Sequence, residues 1–503
     1  MFGAVVRTME TSTVPEEQIR WSVDEWAEVL VWQAIGDMVR RIHDDWMHLS
    51  IERDQDRPRA KREVRIMNVG TAPFGRRTAE RQKLGPLAMS LAVLAGSVAL
   101  GAASSLVAAA PASAGVPPKQ AIKNIVVIYI ENESEANTFG PSSPATYLTG
   151  PLEKKGVLIE NYYGIGHVSL DNYIAQVSGQ APTPTTQGDC LAGFENVTPG
   201  TPSTALDQVN ASSGCVYPAS VETIANQLDA IKKPNTKSHV AAWRAYEEDM
   251  GNDPTRDGGT TCAHPTIGDP PANVASATDG YVTRHDPFVW FHSIIDDTAV
   301  CGANVVPLGA LGSSGKPSSS SRLVKDFSKE TTTPSFSFIT PSVCNDGHDA
   351  VCISPSAAGG TTGGLVATNA WLKAWMPTIL DSPSYKAGQM MVVITADEAD
   401  LDATNDAASC CNEQPGPNVS QAGGSGPGGG QVGALVLTSS KYIKPGSVDT
   451  TGSYNHYSAL RTYENLLGIT KGGSDGKGHL GMAGQPGLAA FGPDVFNATT
   501  GHH

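Results

Sequence analysis

Four stretches of the chain are almost wholly apolar and rich in β-branched residues, and polar side chains follow each of them. Lys123-Asn124-Ile125-Val126-Val127-Ile128-Tyr129-Ile130 stops abruptly at Glu131-Asn132-Glu133, and Met390-Met391-Val392-Val393-Ile394-Thr395 runs into Asp397-Glu398. A third run, residues 335–340, leads to Cys344-Asn345-Asp346-Gly347-His348-Asp349, and residues 433–438 form a fourth. Continuous apolar runs of this length suit strands covered on both faces, as in a mostly parallel sheet. Helical patterns fit residues 170–178, 367–380 and 457–467. Together they predict an α/β domain in which the polar residues past the strand ends converge on one site. Between residues 182 and 280, Gly, Pro, Thr and Asp abound, which predicts a long loop-rich insertion stapled by cysteines. There is no internal repeat and no sign of a second domain in this part of the chain.

A different pattern precedes these elements. Residues 84–114 hold no charged side chain, follow Arg76, Arg77, Arg81 and Lys83, and end in Ala112-Ser113-Ala114. A basic flank, an apolar run and small residues at the end predict a secretory signal over residues 67–114, cut before Gly115. The competing reading is a membrane anchor, since the run is long enough to span a bilayer. Residues 1–66 are either the product of a misplaced start, with translation beginning near Met67, or a small helical extension. The second option rests on Trp32, Ile35, Val39, Ile42 and Trp46, which recur at helical spacing. The α/β domain is then residues 115–503.

Charge and cysteine usage narrow the function. The formal net charge is −15, and residues 1–114 carry 14 basic and 14 acidic side chains, so the whole excess falls on the exported part. Such a surface disfavours nucleic acid, whose binding depends on Lys and Arg meeting phosphates. All eight cysteines lie beyond the apolar run, as expected for disulfides in an extracytoplasmic compartment. Cys344 and Cys352 are the expected pair, while the adjacent Cys410 and Cys411 are expected to bond elsewhere.

Candidate chemistry gathers in the loops. Glu131 and Asn132 after one strand, and Asp397 and Glu398 after another, are hard oxygen donors suited to a divalent cation of unspecified identity. Ser169, in Gly166-His167-Val168-Ser169-Leu170-Asp171-Asn172-Tyr173, precedes a predicted helix that ends at Gly179. There it is either a simple N-cap or a nucleophile placed where backbone N–H groups attract a phosphate. His285, His348 and His456 are candidates for phosphate contact or proton transfer.

These segments, taken in order, resemble the bacterial phosphoesterase family that contains secreted acid phosphatases and phosphocholine-type phospholipases C. The resemblance lies in Ile128–Ser134 as read above, the Ser169 block, Arg284-His285-Asp286-Pro287-Phe288, Asn345-Asp346-Gly347-His348-Asp349, Thr395-Ala396-Asp397-Glu398 and Tyr454-Asn455-His456-Tyr457. It implies a three-layer α/β/α, alkaline-phosphatase-like fold and a covalent phosphoenzyme on Ser169. It also implies a metal shell containing Glu131, Asn132, Asp397 and Glu398, with His285 and His348 as phosphate-contacting or acid/base groups. Asp346 and His456 match motif positions without a defined role. Val168 and Asp171 stand where many relatives have proline, and Ala396 where many have tryptophan. The expected activity is hydrolysis of a small phosphate ester outside the cytoplasm, without nucleic acid or an obligatory protein partner. Cleavage of a phospholipid diester, or silent binding of a phosphorylated ligand, are the alternatives.

Overall fold

The computed structural model describes residues 121–198, 200, 205–209, 211–231, 241–349, 351–400, 408–411 and 428–496. The predicted signal and the extension before it lie outside the described residues. Within these residues the strands are β1 (Asn124–Ile130), β2 (Gly156–Ile159), β3 (Tyr162–Tyr163), β4 (Trp243–Glu247), β5 (Val305–Pro307), β6 (Phe336–Thr340), β7 (Met390–Ala396), β8 (Ala434–Leu437), β9 (Ser447–Asp449) and β10 (Tyr454–Asn455). Four helices matter for the site: α1 (Ser169–Ser178), α2 (Ile224–Ile231), α3 (Gly364–Leu380) and α4 (His456–Leu467).

Eight strands form one mixed sheet in the order β5-β4-β6-β1-β7-β8-β2-β9, and β3 pairs with β10 beside it. Five of the seven neighbour pairings in the large sheet are parallel, and only β8 runs against its neighbours β7 and β2. The four apolar runs are β1, β7, β6 and β8, and every residue of each is buried. That explains their composition, since strands covered on both faces have no solvent side to decorate. The architecture is mixed α/β around a large central sheet.

Residues 182–280 are mostly loops, but they also contain a feature absent from the sequence reading. They supply β4, a strand inside the sheet between β5 and β6, together with α2. Trp243-Arg244-Ala245-Tyr246-Glu247 was masked as a strand by its two charges. Arg244 is nonetheless buried, its Nε 2.9 Å from Asp326 Oδ2. A buried charge is tolerated when it is paired in this way.

The disulfides also differ from expectation. Cys190–Cys215 and Cys262–Cys301 staple the insertion, whereas Cys410 bonds to its neighbour Cys411. Cys344 and Cys352 are buried as free thiols in one apolar cluster with Val282 and Val343. With four cysteines already paired and these two enclosed, no other thiol is left for Cys410 or Cys411. Among the described residues no helix is long and apolar enough to cross a membrane.

Candidate active site

The register of the central strands assembles the site. β1 and β7 are parallel neighbours with Ile130 opposite Ala396, so Glu131 and Asp397 leave the sheet side by side. The backbone continues the contact, because Asp397 N donates to Ile130 O at 3.0 Å and Glu133 N donates to Glu398 O at 3.0 Å. On the other flank of β1, Glu131 N donates to Asp346 O at 3.0 Å, which brings in the loop after β6. Asn132 adopts a left-handed φ of 45°, a conformation asparagine tolerates better than most residues. Its N–H donates to Asp397 Oδ1 at 2.9 Å.

Ser169 is the first residue of α1, and Val168, not Ser169, occupies the N-cap position. The Leu170 N–H that a cap would satisfy donates instead to Asp189 Oδ1 at 3.0 Å, a carboxylate supplied by the insertion. Freed from capping, the Ser169 hydroxyl donates to Glu131 Oε2 at 2.7 Å. The helix closes at Gly179 with φ 69°, and a Cβ there would lie 2.3 Å from Leu480 O, so glycine is required twice over.

The loop before Ser169 is held by Asn172. Its Oδ1 accepts from Ile165 N at 2.7 Å, and its Nδ2 donates to Gly166 O and Val168 O, both at 2.9 Å. Gly166 permits this close fold, because a Cβ would fall 2.4 Å from Asp171 Oδ2. His167, carried on the same loop, contacts Glu398 through its Nδ1.

His285 is buried with its ring stacked on Tyr173 at 5.2 Å. Its Nε2 lies 3.3 Å from Glu131 Oε1 and its Nδ1 lies 3.7 Å from Asp346 Oδ2. Burial, followed by the charges of Arg284 and His348, holds the ring well below the ordinary histidine range. His456 has both nitrogens committed, with Nδ1 3.1 Å from Tyr162 OH and Nε2 2.6 Å from Asp397 O. It braces the end of β7 and has no nitrogen left for a substrate. His348 is different again, because its side chain is 52 % exposed and its Nδ1 lies 4.0 Å from Asp349 Oδ1. Its backbone N–H donates to Asp346 Oδ1 at 3.1 Å.

The electrostatics are those of crowded acids. Burial, and then the Asp397 charge, pushes Glu131 well above the carboxylate range. Burial and the Glu398 charge do the same to Asp397, and burial with the Glu131 charge raises Glu398 to about 9. Asp346 is raised by burial and Glu131, and Asp171 by burial and Glu398. Among the described residues, Glu131 Oε1, Asn132 Oδ1 and Asp397 Oδ2 are buried without a hydrogen bond, with His285 Nε2 3.3 Å from the first of them. Three hard oxygens left unpaired at adjacent strand ends, among carboxyls that repel one another, fit a divalent cation in chemistry. Among the described residues, no three His, Cys, Asp or Glu side chains already surround a single ion position.

The sequence model of the Phosphoesterase family matches residues 144–470. The chain belongs to the Phosphoesterase family. The chain is similar to the phosphate-repressible acid phosphatase of Penicillium chrysogenum, with 26% identity over 286 residues, covering 56% of this chain and 49% of that one. The acid phosphatase of Aspergillus fumigatus is 24% identical over 254 residues, covering 49% and 39%. The chain therefore spans about half the length of these relatives or less. A solved member of the alkaline phosphatase superfamily from Vibrio parahaemolyticus superposes with a TM-score of 0.37 at 14% identity, over 71% of this chain and 68% of that one.

Several residues of the site were not singled out from sequence. His167 and Asn172 lie in the quoted Ser169 block, where a His-x-Ser spacing and an Asn three residues into the helix were the available signals. Asp189 gave none, since an acidic residue in a loop is ordinarily solvated.

Proposed function

We propose that the protein is an exported phosphoric ester hydrolase that transfers the phosphoryl group of a small monoester to Ser169 and then to water. The observation that carries this reading is the 2.7 Å hydrogen bond from the Ser169 hydroxyl, at the start of α1, to Glu131 at the end of β1. A helix start stabilises negative charge, and a carboxylate can receive the hydroxyl proton. Similarity to the fungal acid phosphatases supports the reaction class, and the disulfides with the apolar run at residues 84–114 support export.

Ser169 Oγ attacks phosphorus while its proton passes to Glu131, and the bond to the leaving alcohol breaks. His348, exposed on the Asp346 loop, protonates the departing oxygen, and His285 donates to a phosphoryl oxygen from inside. Water then attacks the phosphoserine and gives a proton to His348, the bond to Oγ breaks, and Glu131 returns its proton to Ser169. Glu131, Asn132, Asp397 and Glu398 would hold a divalent cation, which when bound supplies charge neutralisation for the alkoxide and the phosphoryl oxygens. His456 and His167 keep Asp397 and Glu398 in place for that role.

Ser169→Ala is expected to lower turnover of an aryl phosphate by roughly 10⁴-fold or more with an unchanged melting temperature. Near-normal turnover by this variant would exclude Ser169 as the nucleophile. Tight binding of phosphate by the wild type without turnover of any ester would instead identify a silent binding protein.

A further inference from the structure

Arg284 directly precedes His285, yet the mechanism above leaves it unused. It is gripped from two sides by the insertion. Asn273, itself buried, accepts from Arg284 N at 2.9 Å through Oδ1, and its carbonyl accepts from Arg284 Nη1 at 2.5 Å. Asp189 Oδ2 lies 3.4 Å from Arg284 Nε, and Asn273 Nδ2 donates to Asp189 O at 2.8 Å. The same Asp189 binds Leu170 N through Oδ1. A single carboxylate thus links the guanidinium to the backbone beside Ser169. The Cys190–Cys215 bond anchors the residue next to Asp189.

This clamp leaves part of the guanidinium available. The side chain is 20% exposed, and no hydrogen bond to Nη2 is present among the described residues. It lies beside the centre of the site, because the next residue, His285, has its Nε2 3.3 Å from Glu131 Oε1. A carboxylate-rich pocket repels a phosphate dianion, and a cation bound by those carboxylates is largely offset by their own charge. A planar, permanently charged guanidinium beside His285 supplies what is missing, a charged N–H donor from Nη2 for a phosphate oxygen.

We propose that Arg284 is a substrate-binding residue that recognises the non-bridging oxygens of a phosphate monoester dianion and so favours monoesters over diesters. This rests on the phosphatase reading above, and it makes the insertion part of the recognition apparatus. A monoester offers three non-bridging oxygens carrying two negative charges, whereas a diester offers two oxygens and one charge. An added cationic donor therefore discriminates between them by charge as well as by shape.

The test compares the full chain with Arg284→Gln and Arg284→Lys, using inorganic phosphate for calorimetric binding and aryl mono- and diesters for kinetics. Arg284→Gln is expected to raise the phosphate Kd and the monoester KM by roughly 10- to 100-fold, as loss of a charged hydrogen-bond donor does. The diester KM should stay within about threefold, so the monoester preference shrinks by about the same factor. Arg284→Lys keeps the charge and the pairing with Asp189 but loses the planar guanidinium, and an intermediate phosphate Kd is expected. If Arg284→Gln does not fold, the lysine variant alone decides the matter by that Kd. A lower melting temperature with unchanged phosphate Kd and unchanged ester preference would reduce Arg284 to a clasp for the insertion. A wild type that binds no phosphate would overturn the proposal as well. Phosphate binding that depends on Arg284, in a protein that hydrolyses neither ester, would sink the Ser169 reading while upholding this one.

Discussion

Glu131 carries two duties whose conflict is visible in its surroundings. It accepts the Ser169 hydroxyl through one oxygen, while the other, buried and without a hydrogen bond among the described residues, faces the His285 ring. Burial and the nearby Asp397 carboxylate both oppose its ionisation. Glu131→Gln preserves volume and an acceptor for Ser169 but removes the charge. Turnover is expected to fall by roughly 10²- to 10³-fold, in line with loss of one group that stabilises or deprotonates a nucleophile. In the presence of chelator the variant should melt at or above the wild-type temperature, because one buried repulsion is gone. Added divalent cation should raise the wild-type melting temperature and leave the variant's unmoved. A variant stabilised by cation as strongly as the wild type would remove Glu131 from the metal shell. Glu131 and Asp397 were legible in the sequence because each ends an apolar run, a context in which a carboxylate has no solvent to face. His456 was legible only as a motif residue, and its bracing role depends on Tyr162 and the Asp397 carbonyl, which no local pattern connects to it.

At the scale of elements, the nucleophile is positioned by a short loop and a helix start stitched together by one side chain. Asn172 binds Ile165, Gly166 and Val168 from within the first turn of α1, so the path of the backbone into Ser169 depends on it. Asn172→Ala leaves those backbone groups without partners in a buried setting. A stability loss of about 2–4 kcal/mol is expected in urea unfolding, from several hydrogen bonds of about 1 kcal/mol each plus the cost of unsatisfied groups. Under conditions where the variant remains folded, kcat should fall more than KM rises, because the loop orients Ser169 and does not bind substrate. Wild-type kcat in a folded variant would refute this account. The helix itself was predictable, with its start near Ser169 and its end at Gly179, because glycine at a helix end has a local cause. β4 was not. Its Arg244 and Glu247 are hidden among β5, β6 and an Asp326 partner more than eighty positions away, and tertiary pairing overrode a pattern that looked solvated.

Across the whole molecule, cysteine state and buried acid set two measurable properties. Unfolded, unreduced protein is expected to titrate as two thiols per chain, from Cys344 and Cys352. A count of zero would mean that these two thiols close into the expected pair. The pH dependence follows from carboxyls away from the proposed metal shell. Glu248, enclosed and accepting from Ser342 N at 2.9 Å and Asn345 Nδ2 at 3.0 Å, is raised by burial to about 8. Asp286 is raised by burial to about 7. In the unfolded chain both ionise near pH 4, so between about pH 4 and 8 the folded state binds more protons than the unfolded state. Stability from these groups is therefore complete below their unfolded values and is lost as pH rises through about 7 and 8. His456, lowered by burial to about 4, acts in the opposite sense between about pH 6.5 and 4, where the unfolded chain takes up the proton that the folded ring refuses. Above pH 6.5 that opposing effect has ended and only the carboxyl contribution remains. The melting temperature of chelator-treated protein is thus expected to decline from pH 6.5 to 8.5. Glu248→Gln, which cannot ionise, should remove part of that decline while leaving the melting temperature near pH 5 close to the wild type. A wild-type melting temperature that rises over this interval, or a variant with an unchanged slope, would show that Glu248 ionises freely in the folded protein and that its enclosure is weaker than the packing around Ser342 and Asn345 implies.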